Sequence, residues 1–194
     1  MYKHHETSIE NMKEHFRKHG AIALILVGSV AKGTERANSD LDGVVILTEE
    51  EYAKKEKNHT TTETVDGLCT YEGGYFDIKY MTKQYLKDLA ERGSEPARNG
   101  FAKARILFCN DAEIEDLLLL IPVFQKTEKE EKLLSFYSDF WLNYHYFLKS
   151  CPIDGYMKMH SIVEIIYSIY RMILQENEIL FDCNRRLEQQ VESV

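Results

Sequence analysis

The sequence predicts an α+β fold in two parts, with strands and helices mixed over residues 1–112 and helices alone over residues 113–194. Three observations lead there. Strand-like runs fall at 21–27, 42–47, 63–71, 75–81 and 104–109, all before Asp111. Beyond Asp111 only the three-to-four spacing of apolar residues along helices recurs. A chain of 194 residues can also bury one good core or two small ones.

Residues 6–19 put Ile9, Met12 and Phe16 on one helical face, and Gly20 ends that helix. Residues 21–27 are continuously apolar, as a buried strand is. A short helix starts near Ser29. Residues 42–47 form the second strand, and residues 49–57 read as a charged surface helix or lid. Residues 63–71 and 75–81 read as two strands joined across Gly73-Gly74, a hairpin signal. On the second of them Tyr75, Asp77 and Lys79 share one face, and Phe76, Ile78 and Tyr80 the other. A helix over 83–92 stops near Gly93, and 104–109 is a fifth strand.

In the second part, helices over 113–121 and 127–149 are separated by Pro122. Pro152 and Gly155 mark the next break. The helix over 156–177 carries Ile162, Ile165, Ile166, Ile169 and Ile173 on one side, while Met159, Val163, Tyr167, Tyr170 and Leu174 line much of the rest. So broad an apolar girth predicts burial on several sides, at the centre of a bundle or against a partner subunit; a homodimer is one such arrangement. Residues 184–191 suggest a last short helix.

The charge is uneven. Residues 1–112 hold 16 basic and 18 acidic side chains, and residues 113–194 hold 8 and 14. No basic stripe of the kind that grips a nucleic-acid backbone is evident, so no nucleic-acid partner is expected. An acidic second half favours a cationic small substrate, though acidic net charge is common in any case. Cys69, Cys109, Cys151 and Cys183 are too scattered for a metal knuckle or redox pair and read as free thiols of a reducing cytosol. Residues 1–12 are polar, with no signal-peptide core, and the longest apolar runs fall far short of a bilayer span. A cytoplasmic location without membrane contact is expected.

The chemistry concentrates in residues 28–42, Gly-Ser-Val-Ala-Lys-Gly-Thr-Glu-Arg-Ala-Asn-Ser-Asp-Leu-Asp. Asp40 and Asp42 stand two apart at the start of a strand, so both point to one side. Paired hard oxygen ligands suit a divalent cation such as Mg2+. Upstream, Gly28-Ser29 closes a buried strand and offers backbone N–H groups and a hydroxyl to an anion. The helix that follows turns its positive end the same way. Phosphate beside paired carboxylates and a metal means phosphoryl or nucleotidyl chemistry.

These residues resemble the nucleotidyltransferase superfamily that includes DNA polymerase beta and kanamycin nucleotidyltransferase. The family pattern of Gly-Ser, a second Gly and Ser-Asp-x-Asp falls on Gly28, Ser29, Gly33, Ser39, Asp40 and Asp42. The position before the second Gly is usually Arg in bacterial members. Here it is Lys32, which keeps the charge and loses the bidentate fork. A third carboxylate on a later strand is matched by Asp77. The resemblance covers residues 21–82. It implies a polymerase-beta-like domain followed by a helical one, with Asp40, Asp42 and Asp77 as catalytic and metal-holding residues. Gly28, Ser29, Lys32, Gly33 and Ser39 would lie along the nucleotide. It further implies ATP as co-substrate, Mg2+ as cofactor and a small hydroxylated acceptor such as an aminoglycoside-like antibiotic.

The alternative is a minimal nucleotidyltransferase acting as an antitoxin or regulator of a partner protein. A fused toxin ribonuclease would need Arg and then His on one helix, and the stretch after Arg171 lacks the His. A module that binds nucleotide without catalysis is the third reading, and the three intact carboxylates argue against it. Glu164, on a polar side with His160 and Arg171, could serve as base for a substrate hydroxyl, although a solvated or salt-bridged face is the commoner use of such residues. The aromatic residues Phe136, Tyr137, Phe140, Trp141, Tyr144, Tyr146 and Phe147 suit core packing or an acceptor pocket.

Overall fold

The apolar runs predicted as strands become the centre of a five-stranded sheet. The structure is a computed structural model that describes residues 1–150 and 154–194. The strands are β1 (Ala23–Leu26), β2 (Leu41–Leu47), β3 (Thr62–Val65), β4 (Phe76–Thr82) and β5 (Arg105–Cys109), in the order β3-β4-β2-β1-β5. β2 runs parallel to β4, and the other neighbours are antiparallel. The sheet is therefore mixed, and every residue of β1 is buried.

Alternation along the strands sends side chains to two cores. Leu24, Leu26, Leu41, Val45, Leu47, Phe76, Ile78 and Tyr80 face α1 (Lys3–Lys18) and meet its Ile9, Met12 and Phe16. On the other face Ala23, Ile25, Val27, Val44 and Ile46 meet Leu86 and Leu89 of α4 (Lys83–Arg92). They also meet Ile114, Leu117 and Leu118 of α6 (Ala112–Leu120). Between β1 and β2 lies α2 (Gly28–Lys32), and between β2 and β3 lies α3 (Glu49–Lys57), which the Thr48 hydroxyl caps by accepting from the Glu51 N–H.

Three details differ from the sequence reading. The predicted hairpin is present as the antiparallel pair β3 and β4, but β3 is shorter than expected and a long loop over 66–75 takes the place of a tight turn at Gly73-Gly74. The chain leaves β3 after Val65, and Leu68 and Cys69 turn back to pack near α1, where the Asn11 side chain donates to the Leu68 carbonyl at 2.9 Å. The short helix α5 (Glu95–Gly100) gave no periodic signal in six residues. Its Arg98 is nonetheless buried, donating to the carbonyls of Gly93, Ala90 and Ile121 at 2.9, 2.6 and 2.9 Å. Finally, α6 packs on the sheet, and the chain divides into compact units at 1–122 and 123–194.

In the second unit α7 (Lys129–Trp141) runs on into a π-helical stretch, Leu142–Ser150. Then come α8 (Gly155–Glu176) and α9 (Leu187–Glu192). Its small core joins Leu174, Phe181 and Leu187. Arg171 lies between rings, its guanidinium carbon 4.2 Å from the centroid of Phe181 and 4.6 Å from that of Phe136. The broad burial expected of α8 is not found. The helix buries Ser161, Ser168, Arg171, Leu174 and Gln175, while Met159, Val163, Ile166 and Ile169 are exposed. The aromatic cluster is likewise only partly a core: Tyr137, Trp141, Tyr144 and Tyr146 are exposed. Cys69, Cys109 and Cys183 are free and partly buried. Cys151 and the break at Pro152 lie outside the described residues.

Candidate active site

The site forms where β1 ends beside the start of β2. Pairing continues one step past the strand, as the Val27 N–H donates to the Asp42 carbonyl at 3.0 Å. The next residue, Gly28, then lies against the Asp42 side chain. A Cβ on Gly28 would stand 2.5 Å from Asp42 Cγ and overlap its carboxylate. Gly28 also has φ +68°, a left-handed conformation that other residues adopt only with strain. Space and backbone together demand glycine. The turn of α2 closes on Gly33, φ +73°, and the N–H groups of Gly33 and Thr34 return to the Ser29 carbonyl.

The loop from Thr34 to Asp40 is held from several directions. Within it the Arg36 N–H donates to the Ser39 hydroxyl at 2.9 Å, and the Ser39 N–H donates to the Arg36 carbonyl at 3.1 Å. From outside, the Tyr71 hydroxyl donates to the Ser39 carbonyl at 2.6 Å, and a ring nitrogen of His4 meets the Ala37 carbonyl at 2.8 Å. The Leu41 N–H donates to the Tyr75 carbonyl at 3.1 Å, which starts the parallel ladder. Asp40 is thus fixed between two anchored neighbours.

In that ladder Asp42 pairs in register with Asp77. Paired residues of adjacent strands point the same way, with the strands about 4.8 Å apart. Asp40 precedes Asp42 by two residues and is carried by extended backbone toward the same face. This is the face that continues inward as Val44 and Ile46 and is covered there by α4 and α6. At the level of the acids the cover ends, and all three are partly exposed.

Tyr75 lies within the electrostatic reach of all three acids. The nearby Asp40 carboxylate first, then burial, and beyond these the charges of Asp77 and Asp42, hold the Tyr75 proton on to higher pH than the ordinary value. The sequence placed Tyr75 on the Asp77 face without singling it out; its period-two spacing from Asp77 was the available signal. Lys32 reaches α5, where its ammonium donates to the Asn99 side-chain oxygen at 2.7 Å. Asn99 could not be anticipated, because α5 was not.

Gly28, Ser29, Lys32, Gly33, Ser39, Asp40, Asp42 and Asp77 therefore gather around one end of the sheet. The Ser39 hydroxyl is engaged within its own turn. Among the described residues no group of three or more His, Cys, Asp or Glu side chains closes into a ready-made metal cage. Mg2+ does not need one, since it is held by one or two carboxylates together with substrate phosphates and water. The hard-oxygen donor set of Asp40, Asp42 and Asp77 fits that requirement. Glu164 and the aromatic residues around Trp141 belong to the second unit.

The family model described as "Nucleotidyltransferase domain" matches residues 8–109. No curated protein matches the chain. Among solved structures, a nucleotidyltransferase-like protein from Exiguobacterium sibiricum 255-15 is similar, with a TM-score of 0.50 and 11% identity. The match covers 96% of this chain and 62% of that one, so this chain spans less than two thirds of that protein's length. At that identity the likeness concerns the fold. No helix of the described residues is long and apolar enough to cross a membrane.

Proposed function

The chain belongs to the nucleotidyltransferase-domain family, and on that basis we propose that it is a magnesium-dependent enzyme that moves a nucleoside monophosphate, AMP from ATP, onto a hydroxyl of a small molecule. The observation that carries the reading is the register pairing of Asp42 with Asp77 directly beside the Cβ-free Gly28. Two carboxylates are laid side by side, and the absence of a side chain at Gly28 lets the Asp42 carboxylate lie against the backbone there.

In this proposal Asp40 and Asp42 hold the cation, and Asp77 completes the site or takes the proton of the attacking hydroxyl. Bound there, Mg2+ supplies neutralisation of the triphosphate charge. Gly28, Ser29 and the amides near Gly33 line the outer phosphates, and Lys32 adds a positive charge at that end. The acceptor oxygen forms a bond to the α-phosphorus as the bond to pyrophosphate breaks. Aminoglycoside-like acceptors are the first class to test, because a net charge of −8 attracts polycations.

The test is incubation with each nucleoside triphosphate, Mg2+ and a panel of hydroxylated antibiotics. Pyrophosphate release and an acceptor heavier by one nucleoside monophosphate are the expected results. Absence of both across the panel, with no magnesium-dependent nucleotide binding, overturns the reading.

A further inference from the structure

We propose that two copies of this chain pair through α8, antiparallel, about a two-fold axis at Ile166. The observation is the inversion of this helix. Ser161, Ser168 and Gln175, seven residues apart and so on one line of the helix, are turned inward and buried. The opposite line carries Met159, Val163 and Ile166, which are 62%, 55% and 45% exposed. A helix whose polar line is buried and whose apolar line meets water has its hydrophobic stripe left for another surface.

The stripe is symmetric in sequence, which identifies the surface. About Ile166, the positions three away are Val163 and Ile169, those four away are Ile162 and Tyr170, and those seven away are Met159 and Ile173. Every one is apolar. Two such helices laid antiparallel place each residue opposite its counterpart, Val163 against Ile169 and Met159 against Ile173, with Ile166 against itself. Charge favours the same direction. Lys158 and Glu176 are exposed on one flank of the helix, about five turns apart. An antiparallel pair sets Lys158 of one copy near Glu176 of the other, on the same side of the seam, whereas a parallel pair keeps Lys158 and Glu176 about five turns apart. Glu176 also pairs with Lys129 at 3.2 Å within its own chain and keeps 65% of its side chain exposed.

The area of the stripe is of the right order. The exposed part of Tyr156, Met159, Val163, Ile166 and Ile169 amounts to roughly 500–600 Å² in each copy, so its full burial would bring the pair to about 1,000–1,200 Å², the lower end of specific interfaces.

The experiment measures the mass of the full chain in solution by sedimentation equilibrium and then repeats it on Ile166→Glu. A dimer is expected for the unaltered chain, with a dissociation constant raised at least about 100-fold by the substitution, since one buried isoleucine is lost from each copy. Near-ultraviolet circular dichroism checks that the variant is folded. Independently, Ile166→Cys with the four native cysteines replaced by Ser should form a disulfide-linked dimer on mild oxidation, and His160→Cys in the same background should not. A monomeric chain, a dimer indifferent to Ile166→Glu, or a dimer that Ile166→Cys fails to cross-link overturns the proposal. A surface meant for a different protein would give the first of these results.

Discussion

Gly28 and the Asp42 carboxylate occupy adjoining space, so that no side chain fits at Gly28 while Asp42 keeps its present position. Gly28→Ala therefore tests the site without removing any reactive group. The strain of φ +68° costs about 1–3 kcal/mol, or roughly 2–10 °C of melting temperature in a chain of this size. The new methyl group also pushes Asp42 away from Asp77. A displacement on the order of 1 Å at a reacting centre lowers turnover about 100-fold. Calorimetry and initial-rate measurements on one preparation check both; full activity at a lowered melting temperature would remove the functional meaning of the contact.

Asp42 and Asp77, paired on adjacent strands, repel each other when no cation is present. Asp77→Asn relieves that repulsion, which between neighbouring side chains is worth about 0.2–1 kcal/mol, and should raise the melting temperature without magnesium by roughly 1–3 °C. The same substitution should lower turnover at least about 100-fold. Magnesium should raise the melting temperature of the unaltered protein and leave Asp42→Asn nearly unmoved. A variant that is both less stable and fully active would contradict the pairing of function with strain.

How much of this was readable beforehand follows from the range over which each signal acts. The shared face of Asp40 and Asp42 was legible because strand alternation is local, whereas Asp77 and Gly28 were picked out by their match to a known family pattern, and the register of Asp42 with Asp77 depends on β2 lying beside β4. The steric reason for Gly28 was not legible, since it depends on β2 lying beside β1. The inside-out packing of α8 was hidden for a related reason. Periodicity reports that apolar residues surround much of α8, not which of them the rest of the unit covers. The loop over 66–75 was misread because Gly73-Gly74 looks like a tight turn, whereas contacts with α1 claim the chain earlier.

His5 gives the pH prediction. It is fully buried beside Tyr71 and His4, and its ring nitrogens make no well-formed hydrogen bond. Burial first, and then the charge of His4, hold it below its ordinary value of 6.5, against the opposing pull of Glu35 and the Ser39 backbone. Above pH 6.5 both the folded and the unfolded chain carry a neutral His5, and its contribution to stability is fully present. As the pH falls below 6.5 the unfolded chain takes up the proton first, so stability is lost through the lowered folded value. His5→Phe should flatten the fall in the denaturant midpoint between pH 7 and about pH 5. A slope equal to that of the unaltered protein would show that His5 does not titrate in this way.

Lys32 can act as a strut or as a phosphate contact, and its bond to Asn99 separates the two. As a strut, it ties α2 to α5 by one charge-assisted hydrogen bond, worth about 1.5–3 kcal/mol. Lys32→Ala and Asn99→Ala would then lower the melting temperature alike and leave the KM for nucleotide unchanged. As a phosphate contact, Lys32 exchanges Asn99 for the triphosphate when nucleotide binds. Lys32→Ala should then raise the KM about tenfold or more, as loss of one charged hydrogen bond does. Asn99→Ala should leave the KM equal or lower, because Lys32 no longer has to give up a partner. The proposed function requires the second pattern, so equal KM values for Lys32→Ala and the unaltered protein would assign Lys32 to the scaffold and leave Gly28, Ser29 and the amides near Gly33 to hold the triphosphate.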